Sequence, residues 1–65
     1  MRILFDSVVI KNQMATYGIR QADLARGINV SRLTAKKFME GRTIYKINEA
    51  LEFIGLPYDR ARLNG

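Results

Sequence analysis

The chain has no cysteine and no histidine among its 65 residues. Disulfides are therefore excluded, and the nitrogen and sulfur ligands usual in structural zinc sites are missing. Stability must come from packing alone. No apolar run approaches the roughly 20 residues needed to span a bilayer. Met1 to Ile10 carries a lone early arginine and an acidic Asp6, with no small-residue cleavage site after it, so a signal peptide is not expected and the protein reads as intracellular. There are no internal repeats, low-complexity stretches or linkers, and β-branched residues do not alternate with polar ones. The chain reads as helical. With neither His nor Cys, and with its six acids scattered, it offers no nucleophile and base pair, no metal cluster and no glycine-rich phosphate loop. An enzyme is not expected, nor is a cofactor, a metal or a small-molecule ligand.

What is present is a single domain, residues 1 to 65, whose 48% hydrophobic content is enough for a core. A chain this short must bury much of that content to offset the entropy of ordering its backbone. The formal net charge is +5, and its position is more informative than its size. Between Arg26 and Lys46 lie Arg26, Arg32, Lys36, Lys37, Arg42 and Lys46 against the single acid Glu40, while the remaining basic and acidic residues balance. The whole excess occupies one third of the chain, which suggests a polyanionic partner. A generally basic surface kept for solubility is the plainer explanation.

Gly18, Asn29, Gly41 and Gly55 are residue types that accept positive φ at least cost, and they divide the chain into helices. The first runs from about Asp6 to Tyr17, capped by Asp6 or Ser7, with Ile10, Met14 and Tyr17 on one face. The β-branched start, Val8 to Ile10, counts against the helix there, and a short extended arm over residues 2 to 5 is the alternative. The second runs from about Gln21 to Ile28 and buries Leu24, Ala25 and Ile28; Gly27 within it costs roughly 1 kcal/mol relative to alanine, so neighbours must hold it. Ser31 caps the third, Arg32 to about Glu40, whose apolar positions are Ala35, Phe38 and Met39. Thr43 is expected to cap the fourth, Ile44 to Ile54, with Ile44, Ile47, Leu51 and Ile54 turned inward until Gly55 and Pro57 stop it. The tail, 58 to 65, is expected to add a turn or stay loose.

Helices 2 and 3 are short and joined by about three residues, Asn29 to Ser31, so they are expected to cross steeply as a helix-turn-helix over about 21 to 40. Ala25 supplies the small residue at the crossing. Outward on helix 3 lie Arg32, Leu33, Lys36 and Lys37, at spacings that put them along one stripe. The major groove admits an α-helix, and arginine or lysine can donate to the N7 and O6 of guanine while a leucine can touch a thymine methyl. These four are the candidate base contacts. Candidate phosphate contacts are Arg20 and Gln21 at the start of helix 2, Ser31 and Thr34 at the start of helix 3, and Arg42 and Lys46 after it. A solvated basic face is the ordinary alternative for Arg32, Lys36 and Lys37. Ala25, Val30 and Phe38 are core on either reading, and Tyr17, Tyr45 and Tyr58 are most simply half-buried aromatics.

The segment Gln21 to Phe38, QADLARGINVSRLTAKKF, resembles the helix-turn-helix of the lambda-repressor-like class, the XRE-type family that includes phage Cro and CI proteins. Gln21 matches the glutamine that opens helix 2 in that pattern, and Ala25 matches the small alanine four residues on. The resemblance covers about Ile10 to Leu56. It departs at Asn29, where glycine is usual, at Ala35, where valine or isoleucine is usual, and at Gly27, which interrupts helix 2. The resemblance implies an all-α compact bundle of four or five short helices, and symmetric operator binding as a dimer on double-stranded DNA. It also implies base contacts from the first turns of helix 3. A Cro-like phage or mobile-element repressor of the bacterial cytoplasm, controlled by its own concentration, is the concrete expectation. The apolar residues Phe53, Leu56, Tyr58 and Leu63 are not needed for the inward stripe of helix 4. They are candidates for the dimer interface, unless the tail folds back to finish the core. A protein-binding module of antitoxin or anti-repressor type, or an excisionase-like protein that bends DNA, are the alternatives.

Overall fold

The computed structural model describes residues 4 to 63, and within them the chain is all-helical. Five helices follow one another: α1 (Ser7–Thr16), α2 (Gln21–Gly27), α3 (Arg32–Met39), α4 (Ile47–Ile54) and α5 (Tyr58–Ala61). Helix α3 packs chiefly on α2 and also on α1, α4 packs on α2, and α5 packs on both α1 and α4.

The first four helices end in the same way. In each, a residue in the left-handed region follows the helix: Gly18 (φ 66°), Asn29 (φ 57°), Gly41 (φ 87°) and Gly55 (φ 70°). The next N–H then reaches back to the carbonyl five residues earlier, as in Ile19 to Met14 (2.8 Å), Val30 to Ala25 (2.9 Å), Arg42 to Lys37 (3.0 Å) and Leu56 to Leu51 (3.0 Å). This is the Schellman closure, which satisfies carbonyls the helix leaves orphaned. Asparagine serves at position 29 because its short polar side chain tolerates that region. The breakpoints read from the sequence are thus the ones the fold uses.

The closure also redirects the side chains that follow it. A residue two beyond the helix end tends to pack back on the last turn, so Ile19 and Val30 are partly buried and Leu56 is 3% exposed. Leu56 therefore belongs to the protomer's core and is withdrawn from the candidate dimer surface. Tyr17, expected on the inward face of α1, is 65% exposed, because the helix stops at Thr16 and Ile19 takes the inward place.

Two further expectations need correction. Helix α4 starts at Ile47, three residues later than expected. Ile44 to Lys46 form a turn closed by the Ile47 N–H on the Ile44 carbonyl (3.1 Å), which still buries Ile44. Thr43 does not cap α4; its hydroxyl oxygen is buried with no hydrogen-bond partner among the described residues. The tail is tied down through residue 63, whereas residues 2, 3, 64 and 65, parts of the expected arm and tail, lie outside the described residues. Phe5 and Arg62 form an antiparallel bridge, the Asp6 N–H donates to the Ala61 carbonyl (2.7 Å), and the Leu63 N–H donates to the Leu4 carbonyl (3.0 Å). The Leu4 and Phe5 N–H groups both reach the Gly41 carbonyl at 3.1 Å, which joins this seam to the end of α3.

Phe5 is consequently a core residue, 2% exposed, with the Tyr58 ring edge-on at 5.4 Å. It joins Ile10 and Met14 of α1, Leu24 and Ala25 of α2, Ala35 and Phe38 of α3, and Ala50, Leu51 and Ile54 of α4. Alanines at 25 and 35 keep side-chain bulk low where α2 meets α3. The starts of α1 and α3 are capped as read: Asp6 accepts from the Val8 N–H (3.0 Å), and Ser31 accepts from the Thr34 N–H (3.1 Å). Among the described residues no helix is long and apolar enough to cross a membrane.

Candidate nucleic-acid interface

Helix α3 owes its position to its two ends. At its start, Ile28 to Ser31 make the turn from α2, with Asn29 in the left-handed region and Val30 donating back to Ala25. The Gln21 side chain spans the same junction, its Nε2 donating to the Arg32 carbonyl at 2.9 Å. Gln21 therefore has one amide hydrogen committed within the chain, joining the first residue of α2 to the first residue of α3.

At 100° per residue, Ala35 and Phe38 set the inward direction of α3, and Leu33, Lys36, Lys37 and Glu40 follow one another along the opposite side. Arg32 stands at the edge of that stripe. Arg32, Leu33 and Lys36 are exposed, Leu33 to 63%, and Lys37 is half-buried. The sequence-predicted base contacts thus share one accessible side. The structure adds Glu40, an acid that ends the stripe and whose carboxylate lies 3.4 Å from the Arg42 guanidinium.

Four basic residues on the elements flanking α3 are paired, whereas those on α3, like Lys11, Arg60 and Arg62 elsewhere, have no acidic partner among the described residues. Asp23 takes both Arg20 (3.4 Å) and Arg26 (2.9 Å), Glu40 takes Arg42 and Glu49 takes Lys46 (3.7 Å). Arg32, Lys36 and Lys37 have no acidic partner among the described residues. The signal for three of these pairs was in the sequence, as the i, i+3 spacings 20/23, 23/26 and 46/49.

Asp23 is the hub of the α2 start. Its carboxyl is held below the ordinary aspartate range, first by the hydrogen bond from the Arg20 backbone N–H, against a smaller opposing effect of burial, and then by the adjacent Arg20 and Arg26 guanidiniums. This is half of a reciprocal cap, since a guanidinium has no acceptor with which to complete it.

Exposed pairs contribute only about 0 to 1 kcal/mol, so Arg20, Arg26 and Arg42 can exchange their carboxylates for an outside anion at little cost. Arg26 and Arg32 line one open hollow with Ala22, Asn29 and Ser31 beside the start of α3. Of the hydroxyls expected to meet phosphate, that of Ser31 is occupied locally, capping α3 and donating to the Thr34 hydroxyl at 3.0 Å, whereas that of Thr34 only accepts. Lys46 differs from the arginines. Its side chain is 27% exposed and its ammonium donates to the Ile28 carbonyl at 2.8 Å.

Leu56 is buried, whereas Phe53 lies across Gly27, Tyr58 packs on Phe5, and Leu63 sits beside Leu4. Tyr45 is the most exposed of the exposed large hydrophobic side chains, at 78%, on the loop that leaves α3.

Comparison of the chain with protein-family models, curated proteins and solved structures returns no match.

Proposed function

We propose that the chain is a sequence-specific DNA-binding regulator in which α2, its turn and α3 act as a helix-turn-helix. Helix α3 enters the major groove. The observation that carries this reading is the unpaired trio Arg32, Lys36 and Lys37 on the exposed side of α3, set among basic residues that have carboxylate partners. Glu40, the one acid on that side, is already paired with Arg42, so the three cations keep their charge for a phosphate-lined groove. Arg32 and Lys36 supply donors for guanine N7 and O6, Leu33 supplies apolar contact for a thymine methyl, and Lys37 reaches from the half-buried edge. Arg20, Arg26 and Arg42 add affinity that depends on salt and not on sequence.

A palindromic site would need two copies with their α3 helices about 34 Å apart. The exposed apolar residues available for that contact are Phe53, Tyr58 and Leu63, with Leu4 next to Leu63. Sedimentation of the protein alone and on its site tests this, and monomer throughout would remove the dimer. The alternative of a protein-binding module draws on the same exposed residues and on Leu33.

The deciding experiment is selection from a randomised duplex library at two salt concentrations. Enrichment of a short motif, with log affinity falling against log salt at roughly 0.9 per phosphate engaged, supports the reading. No enrichment and no binding at low salt would end it.

A further inference from the structure

Lys46 sits between the segments that enter and leave α3. Ile28, whose carbonyl receives the ammonium at 2.8 Å, is the C-cap of α2 and the first residue of the turn into α3. Lys46 itself ends the loop that runs out of α3 through Gly41 and stands at the N-cap of α4. One side chain therefore ties the turn before α3 to the loop after it. A cation is favoured at that point because the last carbonyls of a helix carry partial negative charge. The Glu49 carboxylate, on the first turn of α4, lies 3.7 Å from the same ammonium.

We propose that Lys46 is a positioning residue for α3, fixing its pose for sequence discrimination, and that it does not neutralise a phosphate. The proposal rests on the DNA-binding reading and changes the role of a residue first assigned to the backbone. Moving the ammonium to a phosphate would strip the Ile28 carbonyl of its partner at a part-buried position, whereas Arg20, Arg26 and Arg42 give up only exposed pairs. Base recognition requires donors held within about 0.5 Å of their place, while attraction to phosphates tolerates a tilted helix. Loosening the tie should therefore lower binding to the correct site more than binding to DNA in general.

The variants are Lys46→Met, which keeps an apolar stem and removes the donor, and Lys46→Arg, which keeps a charged donor. Amide exchange is followed on the free proteins, and affinity is measured over a range of salt on the selected site and on random duplex. For Lys46→Met the expectation is faster exchange at Asn29 and Val30 and about a tenfold loss on the selected site. Random duplex should change by less than about twofold, with the salt slope unaltered. Lys46→Arg should restore discrimination. A salt slope lower by about 0.9, with specific and random binding falling together, would make Lys46 a phosphate contact and overturn the proposal. Discrimination unchanged in Lys46→Met overturns it as well. Should Lys46→Met fail to fold, Lys46→Gln keeps an uncharged donor: an unchanged slope supports positioning, and a slope reduced by about 0.9 overturns it. If the unaltered protein shows no salt-dependent binding, the DNA reading fails, and the tie stands or falls on the exchange rates alone.

Discussion

Gly27→Ala separates helix propensity from packing. Gly27 is the last residue of α2 and has helical backbone, so alanine there should favour the helix by about 0.5 to 1 kcal/mol. A Cβ at that position, however, would overlap the Phe53 ring at its Cε1 and Cζ and lie 2.9 Å from its Cδ1. No such contact is tolerated, so the ring must move, and since Phe53 is already 41% exposed it can swing further into water. If the ring gives up roughly 40 to 60 Å² of apolar contact with α2, the loss is about 1 to 1.5 kcal/mol at 25 cal/mol per Å². Gly27→Ala alone should then be near neutral or destabilising by up to about 1 kcal/mol. In a Phe53→Ala background the obstacle is gone, and the same change should stabilise by about 0.5 to 1 kcal/mol. Denaturant unfolding of the four proteins gives a double-mutant cycle with an expected coupling of about 1 to 1.5 kcal/mol. Equal stabilisation by Gly27→Ala in both backgrounds would refute the argument, since it would mean that the ring does not rest on the glycine.

Thr43→Val should leave stability unchanged or raise it by about 0.5 to 1 kcal/mol, because it removes a buried hydroxyl that has no partner; a loss of that size in thermal unfolding would instead restore Thr43 as a cap. Arg32→Ala or Lys37→Ala should weaken binding to the selected site by about 1 to 3 kcal/mol and relax preference at one base pair, whereas Arg42→Ala should weaken all sequences alike. Equal losses on specific and random DNA for all three would sink this division of roles. Asp23, whose folded carboxyl titrates below the ordinary range, contributes stability that is present above the unfolded value and lost as pH falls through the folded one. NMR titration should give a midpoint for Asp23 below that of an unstructured aspartate, and Asp23→Asn should abolish the corresponding acid loss at the start of α2; a midpoint at or above the unstructured value would contradict the Arg20 cap.

What the sequence determined by itself was local. Residues that accept positive φ sit at 18, 29, 41 and 55, and short polar side chains sit at 6 and 31, so the chain must break and restart near those points whatever surrounds them. The spacing of three and four that puts Leu33, Lys36 and Lys37 on one side of α3 is likewise a property of any helix. Tertiary structure decided everything that depends on a neighbour distant in sequence. Thr43 and Lys46 illustrate it: the first has the chemistry of a cap and the second that of a phosphate contact. In the fold the hydroxyl is instead buried without a partner among the described residues, and the approach of the α3–α4 loop to the end of α2 turns the ammonium onto the Ile28 carbonyl. Leu56, Phe5 and Gly27 follow the same rule. The burial of Leu56 and Phe5 comes from a chain reversal and from a seam between residues 4 to 6 and 61 to 63, and the crowding at the exposed Gly27 comes from a ring on another helix. Local conformational preference marks where the helices end, but the start of α4, burial and pairing are set by long-range closure of the core, whose geometry no short window of residues contains.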